Sequence, residues 1–240
     1  MSTVRGGQGN IVQNGLRLWF DFANPNCYSG NTIYVNNLTG RTGNNAILKN
    51  GAVYSGNSNG CISFDGPRTY QQESRIDFTI HNGYEYPYTT NCWLKTSYTG
   101  SAVGIIKSPI WGELEDSSMS SFGLDSGYTA IHYYNYTGNV WSVVTTDIFL
   151  ADGKWHYFSF YLKNNYPNSG TWKVWVDGIN RPVPSGVLPG LFGIWLDCIG
   201  SHRYGGGFIG AIGHATLYNR LLTDSEVLQN YNATRARFGV

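Results

Sequence analysis

Trp155-His-Tyr-Phe-Ser-Phe-Tyr-Leu162 is the stretch whose reading decides the fold. His156, Phe158, Phe160 and Leu162 fall on one face, and Trp155, Tyr157, Ser159 and Tyr161 on the other, the two-residue period of a β-strand. Both faces are apolar or amphipathic, so the strand is expected at the centre of a sheet and covered on both sides. The Asn/Pro/Ser/Gly-rich loop 164–170 follows, then Thr171 to Asp177, closed by the turn signal Asp177-Gly178. Trp155–Leu162 and Trp172–Val176 therefore read as a hairpin.

The same grammar extends in both directions. Leu16, Leu18, Phe20 and Phe22 alternate with Arg17, Trp19 and Asp21, the pattern of a half-buried strand. Asn24 to Asn50 is rich in Asn and Gly and reads as a long loop. Cys61 to Gly66 is a short strand ending in Asp-Gly. Ile76 to Ile80, Asn91 to Thr96, Val103 to Lys107, Ser121 to Leu124, Ala130 to Tyr136 and Trp141 to Thr146 supply further strands. One helix is expected near the C-terminus. Thr223 caps it, Glu226 completes a capping box, and Val227, Leu228 and Tyr231 give an apolar stripe over about two turns, to near Asn232. The expected architecture is all-β, a two-sheet antiparallel sandwich with one short C-terminal helix. Residues 1–14, with Gly6, Gly7 and Gly9, read as a flexible arm with a candidate anchoring role at Asn10, Ile11 and Val12, and 15–240 as one domain.

Composition narrows the function classes. The chain has 240 residues with a net charge of +1 and only 13% charged residues, so nothing marks a nucleic-acid surface. No apolar run is long enough for a membrane span, and residues 1–15 lack the apolar core of a signal peptide, so synthesis without signal-directed export is expected. Cys27, Cys61, Cys92 and Cys198 show no CxxC spacing and read as small buried hydrophobes rather than zinc ligands. His81, His132, His156, His202 and His214 are isolated, without metal-ligand spacing.

Aromatic rings beside polar side chains are the currency of sugar recognition. Tyr134 and Tyr136 share a face of one strand. Trp111, Trp141 and Tyr204 are further loop or edge candidates, with Arg203 and His202 as polar neighbours. The same rings also suit protein interfaces, where Tyr and Trp are enriched and charge is depleted.

A resemblance then emerges. Gly15-Leu-Arg-Leu-Trp-Phe-Asp-Phe-Ala-Asn-Pro25, the loop Asn37 to Gly51, Ile62-Ser-Phe-Asp-Gly66, Asp152-Gly-Lys-Trp-His156, Trp175-Val-Asp-Gly178 and Phe208 to Arg220 follow one another. Together they resemble laminin-G-like domains of the concanavalin A-like superfamily, whose fold is a jelly roll. Leu217 to Gly239, with Asn10-Ile-Val-Gln-Asn14, is similar to such domains in tailed-phage virion proteins. The resemblance implies a phage structural protein, a capsid decoration or tail or fibre component. It would be made in the host cytoplasm and displayed in many copies on the virion beside other virion proteins. A carbohydrate-binding module for host adsorption is the alternative reading. Gly213 and His214 stand where relatives often carry an acidic pair; the resemblance leaves calcium open, but no complete ligand set for it can be mapped, and no other cofactor is expected. The superfamily's glucan hydrolases carry carboxylates on alternate strand residues. Here Glu113 and Glu115 alternate, but Ser117 holds the third place and the flanks, Pro109 included, read as loop. Catalysis is therefore not expected.

Overall fold

The computed structural model describes residues 10–41, 45–56, 59–66, 72–78, 88–100, 108–112, 120–135, 140–163, 171–183, 196–202 and 206–240. Among them, two antiparallel sheets face each other. The first contains β1 (Leu16–Asp21), β4 (Val53–Ser55), β5 (Cys61–Asp65), β7 (Tyr88–Lys95), β12 (Trp155–Lys163), β13 (Thr171–Val176), β14 (Ile179–Arg181) and β16 (Ile209–Tyr218). The second contains β2 (Tyr34–Val35), β3 (Ala46–Lys49), β6 (Arg75–Phe78), β8 (Pro109–Gly112), β9 (Ser120–Asp125), β10 (Tyr128–Asn135), β11 (Val140–Phe149) and β15 (Cys198–Ile199). The helix α1 (Asp224–Phe238) lies across the outer face of the first sheet.

In the first sheet the order is β14-β13-β12-β7-β16-β5-β4. β1 and β5 share one side of β16, β5 on Ile209–Ile212 and β1 on His214–Tyr218. β12 pairs with β7 on one side and β13 on the other, the central hairpin position its two apolar faces demand. Phe158, Phe160 and Leu162 enter the core between the sheets, where Phe160 stacks on Phe122 at 3.7 Å between ring centroids. Tyr157 and Tyr161 enter a second core under the helix, with Trp93, Trp175, Tyr218, Val227 and Phe238. Complete burial of each large apolar side chain contributes about 1.5–3 kcal/mol. One strand thus serves two cores, and the molecule has three layers: helix, sheet, sheet.

The helix is held at both ends. Thr223 accepts from Glu226 N, the Glu226 side chain accepts from Thr223 N, and Gly239 closes the C-terminus in the left-handed region. Asp224 Oδ1 accepts from the Trp175 indole at 2.9 Å, which ties the first turn to β13. The helix runs 15 residues, beyond the expected stop near Asn232. The stripe continues through Thr234, whose hydroxyl accepts from the Trp93 indole at 2.7 Å, to Phe238, which stacks on Trp93 at 4.4 Å.

Further expectations need correction. Residues 10–14 are not a free arm: Ile11 and Val12 are buried in the second core. Val12 N donates to Asn230 Oδ1 at 2.8 Å, Tyr218 Oη donates to Val12 O at 2.9 Å, and Gln229 Nε2 donates to Asn10 O at 2.6 Å. The apolar surface proposed for anchoring is consumed by the chain's own helix. Asn24 to Asn50 is not all loop, since it carries β2 and β3. Pro109 opens a strand, a position that needs no N–H. The strand expected at Val103 to Lys107 lies outside the described residues.

Candidate functional site

β1 ends at Asp21, and the chain turns at once. Asp21 O accepts from Asn24 N at 2.9 Å, and Asn24 O accepts from Cys27 N and Tyr28 N at 2.9 Å each. Asn24 Oδ1 accepts from Asn26 N at 2.9 Å, and Asn26 O accepts from Asn36 Nδ2 at 3.1 Å. This turn forms one wall of a cleft of about 630 Å³. Tyr54, the middle residue of β4, also lines it, its ring 4.9 Å from that of Tyr28. Asn59 and Gly60 line it as well. Gly60 has φ +66, and a Cβ there would sit 2.5 Å from Ala23 Cα, so only glycine lets these two loops meet.

Arg237, from the last turn of α1, completes the cleft. Its guanidinium pairs with Asp21 and donates to Gly60 O and Gly213 O. Asp21 Oδ1 also accepts from Ala23 N at 3.2 Å. Behind this pair Cys27 is enclosed, and burial pushes its thiol up to about 12, which removes it as a nucleophile at neutral pH. His214 is also buried, and its desolvation, only partly offset by Asp21, holds its pKa at about 4. Its Nε2 accepts from the Trp19 indole at 3.1 Å, so the ring is neutral with its proton on Nδ1.

A second polar cluster sits at the start of β12. His156 lies between two carboxylates, with Nδ1 3.0 Å from Asp177 Oδ2 and Nε2 3.0 Å from Asp152 Oδ1. Asp177 Oδ1 accepts from Tyr157 N at 2.9 Å. The hydrogen bond to Asp177 is the largest influence on His156 and raises its pKa, against desolvation. Burial pushes Asp152 up, but bonds from Lys154 N and His156 outweigh it and leave its carboxyl below the usual range. The cluster locks the turn before β12 to the Asp177 turn, a structural role.

Among the stacking candidates read from the sequence, the structure describes the side chain of Trp111 alone. Trp111 is fully buried between the sheets, 6.0 Å from Phe78 in an edge-on contact, so it cannot face a ligand. It was misread because Pro109 before it and Gly112 after it suggest a loop. His202 is buried too. The backbones of Tyr134 and Trp141 are paired across β10 and β11. Tyr136, Arg203 and Tyr204, like Glu113 and Glu115, lie outside the described residues. Among the described residues no group of three His, Cys, Asp or Glu is placed to hold a metal ion, and no helix is long and apolar enough to cross a membrane. None of the cleft residues was singled out from the sequence. Their only shared signal, Asn-rich turns after strands, is also the signal of ordinary loops.

No family model matches the chain, and no curated protein matches it. Solved structures do. The binding domain of botulinum neurotoxin DC in complex with rat synaptotagmin II superposes with a TM-score of 0.62 at 11% identity, over 91% of this chain and 51% of that one. The binding domain of Paraclostridial Mosquitocidal Protein 1 gives 0.59 at 13% identity, over 91% and 52%. The binding domain of botulinum neurotoxin DC in complex with SialylT gives 0.61 at 11% identity, over 91% and 51%. The chain thus spans about half the length of the solved structures it matches. These likenesses concern the two-sheet sandwich. All three are binding domains, and none is described as a virion or laminin-G-like protein.

Proposed function

We propose that the chain is a non-catalytic carbohydrate-binding β-sandwich, displayed in many copies on the surface of a tailed-phage particle, where it meets host glycans. The observation that carries the binding reading is the cleft. One aromatic ring, three side-chain amides and an ion pair converge there, in a volume typical of small-ligand sites. An aromatic face takes the apolar side of a sugar ring, and amides satisfy its hydroxyls. The fold supports the reading, because the solved sandwiches reported above are binding domains, one of them in complex with SialylT. The placement on a phage particle rests on the resemblance of residues 10–14 and 217–239 to virion proteins.

The test joins two measurements. The purified chain is applied to a glycan array and assayed for reducing ends released from β-glucans. Antibody against it is used to label particles from the source lysate. Glycan binding without hydrolysis, together with decorated particles, is the expected result. Hydrolysis would overturn the non-catalytic reading, and unlabelled particles would overturn the virion placement.

A further inference from the structure

The charge inventory of the cleft limits what it can hold. Among the described residues its lining carries one carboxylate, Asp21, and one guanidinium, Arg237, and these are paired with each other. Of the rest of the Arg237 head, Nε is buried and Nη2 is committed. Nη2 donates to Gly60 O at 3.3 Å and to Gly213 O, and the guanidinium carbon lies 4.5 Å from the Phe238 ring centroid. An anionic group approaching Arg237 would come up against the Asp21 carboxylate, which repels it. For an uncharged ligand the same carboxylate is an asset. Oδ1 is taken by Arg237 and Ala23 N, which leaves Oδ2 as an acceptor for a hydroxyl.

The neutral groups point the same way. Asn24 Oδ1 is used by Asn26 N, so the hydrogens on Nδ2 are what Asn24 offers a ligand. Asn26 has its backbone fixed by bonds to Asn24 and Asn36 while the residue is exposed. Asn59 is exposed and has φ 64, a conformation that Asn and Gly adopt readily. Tyr54 is half-buried and braced against Tyr28, so its ring orientation is set before any ligand arrives.

We infer that this cleft binds the terminal sugar of an uncharged glycan, the sugar ring stacked on Tyr54 and its hydroxyls read by Asn24, Asn26, Asn59 and Asp21. The inference rests on the carbohydrate-binding reading above and adds the site and the ligand class. The rival platform is the Tyr134 strand in the second sheet.

The full chain is applied to an array holding neutral, sialylated and uronate-containing glycans. The best binder is then titrated by calorimetry against the wild type, Asn26→Ala, Asn59→Gly, Tyr54→Ala and Tyr134→Ala, with melting curves recorded for each. The expected ligand is neutral. Asn26→Ala and Asn59→Gly should each weaken binding about fivefold to tenfold at unchanged melting temperature, since each removes one amide contact. Tyr54→Ala should weaken it at least tenfold, and Tyr134→Ala should leave it unchanged. Loss of binding in Tyr134→Ala, with the cleft variants at wild-type affinity, would overturn the site while leaving the carbohydrate reading intact. Preference for sialylated or uronate-containing glycans would overturn the ligand class alone. No binding to any glycan would overturn both.

Discussion

His156 and His214 titrate in opposite senses, and the sign of each follows from its surroundings. His156 gains two carboxylate partners on folding and its pKa rises above 6.5. Its contribution is fully present below pH 6.5 and is lost as pH rises through the raised value. Asp152 bounds that window from below, since its lowered pKa makes its share vanish as pH falls beneath the usual carboxylate range. His214 is neutral in the fold down to about pH 4, whereas the unfolded chain takes up the proton near 6.5. Stability therefore falls between pH 6.5 and 4 by up to about 3 kcal/mol from this one ring. Urea unfolding across pH should show His214→Gln flattening the acid limb. His156→Ala should destabilise the protein more at pH 5.5 than at pH 9. The reverse order would mean that the two environments have been misassigned. The sequence presents both residues simply as isolated histidines. What separates them is a bracket of carboxylates 4 residues before and 21 after His156, and burial beneath Trp19 for His214. A single chain read linearly shows neither.

At the level of elements, long alternating strands were legible and short ones were not. β1 and β12 announce themselves because four or more apolar residues alternate. β2, β15 and β8 have two to four residues each, too few to show a period, and they form only because neighbouring strands supply their partners. The capping box located the start of α1. Its end was missed because the continuing face is built from Asn230, Thr234 and Phe238, which do not make an apolar stripe on paper. The cleft was illegible for a related reason: Asp21, Asn24, Tyr54, Asn59 and Arg237 come from both ends of the chain. The docked segment 10–14 makes a direct prediction. A chain starting at residue 10 serves as the reference. A chain starting at residue 15 should lose about 3–5 kcal/mol, because Ile11 and Val12 leave the core and Asn230 loses a partner. Equal melting of the two would show that the second core does not depend on that segment.

Considered whole, the molecule keeps every cysteine inside. Cys27, Cys61, Cys92 and Cys198 are all thiols outside any disulfide, with no accessible surface. Burial pushes up the thiols of Cys27, Cys92 and Cys198, so the fold suppresses thiolate as well as access. An aromatic disulfide reagent at neutral pH should therefore label none of the four in the native protein and all four in guanidinium. Slow native labelling should track global unfolding, since the residues lie in or beside both cores. Rapid labelling of one cysteine would reveal a local opening.

Among the described residues no strand covers the far side of β11, which runs for 10 residues along the margin of the second sheet. Val143, Thr145, Asp147 and Phe149 project from it in alternation, all exposed. Such a margin is a template on which another copy could add a strand, and a charged side chain set into the row is the usual guard against it. Asp147 stands in that place. Asp147→Val should leave the melting temperature nearly unchanged yet turn a clear solution at high concentration into sedimenting, thioflavin-positive fibrils. If the variant stays as dispersed as the wild type, solubility is guarded elsewhere.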